Sequence, residues 1–129
     1  MPAARAISVL IVDDQGTMRA LVRAGLKDLG FQNIEDAVDG EDAFKKLSEK
    51  PVHLVISDFN MPKLDGLGLL RAVRAFPATA KVGFIMLTGR ADTDLVKRAV
   101  QFGVNNYLVK PFTVQTLREK IEAVFGPLT

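Results

Sequence analysis

The chain reads as a doubly wound α/β protein, a five-stranded parallel sheet flanked by five helices. Three features predict this. Short apolar runs alternate five times with stretches of helical, 3.6-residue periodicity. The central runs are apolar throughout, which requires burial on both faces and therefore a parallel sheet covered by helices. Short connections and right-handed crossovers then leave one sandwich architecture.

The first strand is "SVLIV", Ser8 to Val12. After Asp13-Asp14-Gln15-Gly16-Thr17, residues Met18, Leu21, Val22, Gly25, Leu26 and Leu29 form one helical stripe, stopped by Gly30. "NIEDAV", Asn33 to Val38, is a second, weaker strand. The next helix turns Ala43, Phe44 and Leu47 to one face and ends before Pro51. Val52 to Ser57 is a strand rich in β-branched residues, followed by a helix with Leu69, Leu70 and Val73 inward. Val82 to Leu87 is the fourth strand, and the fourth helix starts at a cap on Asp92 or Thr93 and closes at Gly103. Asn106 to Val109 is the fifth strand. The last helix directs Val114, Leu117, Ile121 and Val124 to the core and ends near Phe125.

A length of 129 residues suits one domain over 1–129, with a core of about 7–125, a frayed "GPLT" tail and no effector domain. The balance of 48% hydrophobic and 25% charged residues allows a core that needs no disulfide or metal staple. The absence of cysteine fits a reducing compartment, and no run approaches a membrane span, so a cytoplasmic location is expected. The net charge of +2 is spread over residues such as Arg19, Arg23, Arg71, Arg74 and Lys97, which read as solvated helix faces. No nucleic-acid motif accompanies it, so neither DNA binding nor membrane insertion is expected.

In an open parallel sheet, functional groups gather beyond the carboxyl ends of the strands. Here those ends carry Asp13-Asp14, then Asp58 in "HLVISDFNMPKLDG", then Thr88-Gly89, then Lys110-Pro111. Three carboxylates brought together repel unless a cation joins them. An all-oxygen set suits Mg²⁺, and His53 as the sole histidine argues against zinc and reads as structural. An aspartate can attack phosphorus and form an acyl phosphate. Asp58 is then the nucleophile, Asp13 and Asp14 hold the metal, Lys110 offers a cation to phosphoryl oxygens, and Thr88 offers a hydroxyl.

Taken singly, each residue has a plainer role. Asp14 or Thr17 could cap the first helix, Asp58 could be a turn residue before Pro62, and Lys110 could be a solvated lysine. Their convergence on one end of one sheet argues against coincidence. A dehalogenase-type phosphatase would need an acid two residues after the nucleophile, where Asn60 stands. A nucleotide-binding module would need a glycine-rich loop where Asp13-Asp14-Gln15 stands.

The motifs "VDD" (12–14), "SDFNMPKLDG" (57–66), "LTG" (87–89) and "VKPF" (109–112) resemble those of the receiver domains of two-component response regulators, over about Ile7 to Phe125. Within that family the chain looks most similar to the stand-alone chemotaxis regulators. The resemblance implies the flavodoxin-like (CheY-like) strand order 2-1-3-4-5. It implies that Asp58 takes a phosphoryl group from a phosphohistidine of a CheA-like sensor histidine kinase. It implies Mg²⁺ on Asp13, Asp14, Asp58 and the Asn60 backbone carbonyl, a switch formed by Thr88 and Tyr107, and a cis Lys110–Pro111 peptide. It further implies an output surface on the fourth helix, fifth strand and fifth helix. Its residues would be Ala91, Val96, Val100, Tyr107, Val109, Phe112 and Lys120.

The partner of that surface would be a flagellar motor switch protein or another output protein, and the chain would be monomeric. A phosphate sink or phosphorelay shuttle without motor output uses the same site and stays open at this point. Gly89, where relatives often carry alanine, and Arg90, where chemotaxis relatives often carry glutamate, depart from the family pattern. A long cation at the mouth of the site argues against a CheZ-type phosphatase.

Overall fold

The computed structural model describes residues 3–89 and 93–129. The elements alternate as expected: β1 (Ser8–Val12), α1 (Gly16–Asp28), β2 (Asn33–Ala37), α2 (Gly40–Glu49), β3 (Leu54–Asp58), α3 (Gly66–Ala75), β4 (Gly83–Thr88), α4 (Thr93–Gln101), β5 (Asn106–Val109) and α5 (Val114–Phe125). All four pairings are parallel, in the order β2-β1-β3-β4-β5. No helix among the described residues is long and apolar enough to cross a membrane.

Alternation along the central strands divides the core between the two faces. Val9 and Ile11 of β1 pack with Val22 and Leu26 of α1 and with Leu117 and Ile121 of α5. Leu10 and Val12 point the other way, among Ala43 and Leu47 of α2, Leu69 and Val73 of α3, and Ala99 of α4. β1, β3 and β4 are buried almost without interruption because helices cover both sides. Each fully buried Leu, Ile or Val contributes about 1.5–3 kcal/mol, so the three central strands dominate stability.

Several boundaries differ from the sequence reading. β3 and β4 begin and end later than expected, so Asp58 and Thr88 are the last residues of their strands rather than the first beyond them. β2 stops at Ala37; Val38 is exposed, and its amide donates to Asp42 Oδ2 at 3.1 Å. Leu21 is 59% exposed, since Val22, Gly25 and Leu26 supply the buried centre of α1 and Leu21 falls at the stripe's margin. Val114, the first residue of α5, is also exposed, because the helix meets the sheet only from Leu117 onward. Asp92 lies outside the described residues. The N-cap of α1 is Gln15, with no side-chain cap, so neither Asp14 nor Thr17 caps it.

The C-terminal residues are tied down rather than frayed. Leu128 packs against the α1/α5 side of the core, and its amide donates to Glu122 Oε2 at 2.9 Å. The Ala4 amide donates to the Thr129 carbonyl at 3.2 Å, and Ala4 is itself buried. The core therefore extends beyond 7–125 at both ends. Nor are all the arginines solvated. Arg74 donates to the carbonyls of Gly103, Ala80 and Val82 and to Asn105 Oδ1, bracing the turns at the far end of the sheet. Burial pushes its guanidinium pKa down.

The loop from β3 to α3 is held by close backbone approach. Lys63 has φ +67°, and the Leu64 amide closes a tight turn on the Pro62 carbonyl at 2.8 Å. The loop presses on the start of α2: a Cβ on Gly40 would stand 2.3 Å from the Leu64 carbonyl oxygen. A Cβ on Gly66 would stand 2.4 Å from the Asp58 carbonyl oxygen and 2.9 Å from Phe59 Cα. Gly66→Ala must therefore move the backbone that carries Asp58. The expected cost is about 3 kcal/mol of stability, read by denaturant unfolding; an unchanged midpoint would show that the loop yields freely.

Candidate functional site

Register builds the site. Val12 pairs with both Ala37 and Ser57, so Asp13, one residue on, stands level with Asp58. Asp58 pairs with Leu87, and Thr88 with Val109, which brings Thr88 and Lys110 to the same edge. The Lys110 amide continues this ladder onto the Thr88 carbonyl at 2.7 Å, and the Lys110–Pro111 peptide is cis, as the resemblance implied.

Asp13 is fully buried. Its amide donates to the Ala37 carbonyl at 3.2 Å, and its Oδ1 accepts from the Gln15 amide at 2.9 Å. Its Oδ2 is buried without a partner. Asp58 is 7% exposed, and its Oδ1 accepts from Lys110 Nζ at 2.8 Å. Asp14 is exposed beside them. Asp13, Asp14 and Asp58 each offer a carboxylate oxygen within 4.8 Å of the others.

Among the described residues, Lys110 is the cation that pairs with this cluster, and three carboxylates against it leave an excess that a divalent ion would balance. Burial raises the Asp13 carboxyl pKa above its ordinary value, and Asp58 and Asp14 push it further up. The Gln15 amide and Lys110 oppose that shift. An orphaned buried oxygen within an all-oxygen donor set fits a hard cation such as Mg²⁺. Thr88 is buried as well, and its Oγ1 also lacks a partner. A buried hydroxyl left unsatisfied costs about 1–3 kcal/mol, which suggests a group kept for a ligand.

Among the described residues, the carboxylate cluster itself is Asp13, Asp14 and Asp58 alone. Asn60 is exposed on the loop leaving β3. Tyr107 is half-buried on β5 with Lys120 Nζ 4.9 Å from its ring centroid, a cation–π contact. Val96 and Val109 are half-buried, and Val100 is 62% exposed. Phe112 lies on the α1 side, lining a 270 Å³ groove with Met18, Leu21 and Val114. Ala91 and Arg90 lie outside the described residues; Gly89 is exposed, with open space where a Cβ would stand. His53 sits at the opposite end of the sheet, its Nδ1 accepting from the Ser8 amide at 3.0 Å, in a structural role.

Two contributors escaped the sequence reading. Ser57 is buried on β3, and its Oγ donates to the Asp58 carbonyl at 2.9 Å. Arg19 reaches back from α1 and donates to the Asp13 carbonyl at 2.7 Å. The only signal for Arg19 was a cation in the first turn of a helix that follows two aspartates.

Comparison with known proteins agrees with this geometry. The model of the response regulator receiver domain matches residues 9–122. The probable chemotaxis protein CheY of Rhizobium etli is 56% identical over 128 residues, which are 99% of this chain and 99% of the relative. The solved structure of CheY4 from Vibrio cholerae superposes with a TM-score of 0.85 at 32% identity, covering 92% of this chain and 99% of that one. A CheX–CheY–BeF3–Mg²⁺ complex from Borrelia burgdorferi gives 0.86 at 29% identity, covering 92% and 89%. With a strand order, an acidic strand-end cluster and relatives that agree over nearly its whole length, the chain belongs to the response regulator receiver domain family.

Proposed function

We propose that the protein is a phosphorylation-activated response regulator of chemotaxis in which Asp58 accepts the phosphoryl group. The donor is a phosphohistidine on a CheA-like sensor histidine kinase. An Asp58 carboxylate oxygen forms the new O–P bond as the N–P bond breaks, and that bond's electron pair stays on the donor imidazole. Asp13, Asp14, Asp58 and the Asn60 backbone carbonyl would hold Mg²⁺, which when bound would supply positive charge against the phosphoryl oxygens. The family acts as a signalling switch rather than as an enzyme turning over an external substrate.

The residues of this chain divide the remaining work. Lys110 Nζ, on Asp58 Oδ1 at 2.8 Å, passes to a phosphoryl oxygen once Asp58 carries the acyl phosphate. The Thr88 hydroxyl donates to another. Its displacement toward the phosphoryl group makes room for Tyr107 to turn inward, away from Lys120. The surface of α4, β5 and α5 then favours the bound state of a flagellar motor switch protein or another output protein. Phosphorylation shifts an equilibrium between two states of that surface. In this reading the protein works as a cytoplasmic monomer. Similarity to chemotaxis regulators favours such an output over a phosphate sink or relay.

The single observation that carries the reading is the partnerless Thr88 Oγ1, a buried donor at the end of the strand next to Asp58. Mass spectrometry after incubation with acetyl phosphate and Mg²⁺ tests it. The wild type gains one phosphoryl mass and Asp58→Asn gains none while keeping its fold; an adduct on Asp58→Asn would place the acceptor elsewhere.

The chain has one tyrosine and no tryptophan, so intrinsic fluorescence reports Tyr107 alone. Beryllofluoride with Mg²⁺ should change that fluorescence in the wild type and not in Thr88→Ala. An equal response in Thr88→Ala would remove Thr88 from the switch.

Lys110→Ala leaves Asp58 among carboxylates without its cation. It should lower stability of the metal-free protein by about 2 kcal/mol, recovered at saturating Mg²⁺. Calorimetry that shows no recovery would separate Lys110 from the metal site.

The raised Asp13 pKa sets a sign for pH dependence. Between that raised value and the ordinary carboxylate value, native metal-free protein binds more proton than the unfolded chain. Asp13 therefore adds stability as pH falls through that window, and the increment is lost as pH rises above it. Asp13→Asn should lack the increment and be more stable than the wild type at neutral pH without metal. Unfolding curves without divalent ions across the acidic range check both points.

A further inference from the structure

We propose that Arg19 is a positioning residue for the metal site, acting through the backbone of Asp13 and held in place by Asp36. This rests on the metal reading above and goes beyond it to a residue that touches no metal. Arg19 lies in the first turn of α1, and its side chain is largely buried. Its Nη1 donates to the Asp13 carbonyl at 2.7 Å, and its Nε faces Asp36 Oδ2 on β2 at 3.4 Å. One guanidinium thus clamps the end of β1 to the neighbouring strand.

The clamp completes the fixing of Asp13. The amide is spent on Ala37, Oδ1 on the Gln15 amide, and the carbonyl on Arg19. The atom left over is Oδ2, buried and partnerless, so it alone remains to meet a cation. Freeing the carbonyl would let the 13–15 turn rotate, and Oδ2 would no longer be aimed. Partners that orient a ligand in this way typically change metal affinity by about 10–100-fold when removed.

Asp36 solves an electrostatic problem. A bare guanidinium so near the cluster would repel the cation. Asp36 pairs with Arg19 on one oxygen and with Arg23 on the other, while Lys46 Nζ donates to the Asp36 carbonyl. Asp36 thereby offsets part of the Arg19 charge, shared with Arg23, while it keeps the Arg19 donors directed. Arg23 provides a natural control. It shares Asp36 and donates to the Ile34 carbonyl at 3.2 Å, so it also ties α1 to β2, but it does not touch Asp13.

The test is Mg²⁺ titration of the intact protein by calorimetry, without phosphodonor, beside an unfolding curve for each variant. Arg19→Ala should weaken Mg²⁺ about tenfold, whereas Arg23→Ala should change it less than about twofold at a similar loss of stability. Arg19→Lys should recover only part of the affinity, because an ammonium cannot span both acceptors as a fork does. Asp36→Asn, which keeps the side-chain volume, should weaken Mg²⁺ without removing Arg19. Wild-type affinity in Arg19→Ala, or equal weakening in Arg23→Ala, overturns the proposal. Should Arg19→Ala fail to fold, an unchanged affinity in Arg19→Lys and Asp36→Asn does the same. Failure of the wild type to bind Mg²⁺ overturns the metal reading itself, and this inference with it.

Discussion

The structure is organised around a repulsion. Asp13, Asp14 and Asp58 hold carboxylate oxygens within 4.8 Å of one another at one edge of the sheet, and Lys110 offsets only part of their charge. Left to itself, such a cluster would splay apart or take up a proton. It cannot splay apart, because Asp13 and Asp58 continue two central strands whose side chains are almost wholly buried, and the strain shows instead in the Asp13 carboxyl, whose pKa burial and its neighbours raise. The hydrophobic free energy of those strands is spent, in small part, on keeping the carboxylates together. The excess charge that remains is what a cation at this edge would neutralise.

Parallel register makes this arrangement possible. Four segments far apart in sequence deliver their chemistry to one edge because each strand is aligned with its neighbour to the residue. The crossover helices pack on both faces and leave that edge open. Close contacts at Gly40 and Gly66 stiffen the loop that leaves Asp58, so Asp58 is held by backbone as much as by side chains. The two orphaned atoms, Asp13 Oδ2 and Thr88 Oγ1, belong to this rigid frame.

Much of this was legible in the sequence because it depends on periodicity and on strand ends. The runs around Leu10, Ile56 and Ile85 announce buried strands, and the polar residues that close them announce the site. What could not be read depends on distances between non-adjacent segments. Leu21 and Leu26 look alike in the helical pattern, yet only the packing of α1 against the sheet shows that the first is exposed and the second buried. Arg19 looked like one more surface cation until its guanidinium was found on the Asp13 carbonyl. The "GPLT" tail has no periodicity to suggest order; its order comes from Glu122 and Ala4, which local pattern cannot anticipate.

The contact between the Ala4 amide and the Thr129 carbonyl brings the segment 4–129 nearly into a closed ring. Ala4 and Thr129 meet ahead of the start of β1, at the opposite end of the sheet from the acidic cluster. A short peptide could join them without crossing the reactive edge, and the ring could then be opened at an exposed turn elsewhere. Connectivity at the termini and chemistry at the strand ends are thus separable. The same geometry keeps Ala4 and Thr129 at the end of the sheet away from the carboxylates, so the approach to Asp58 stays clear of both.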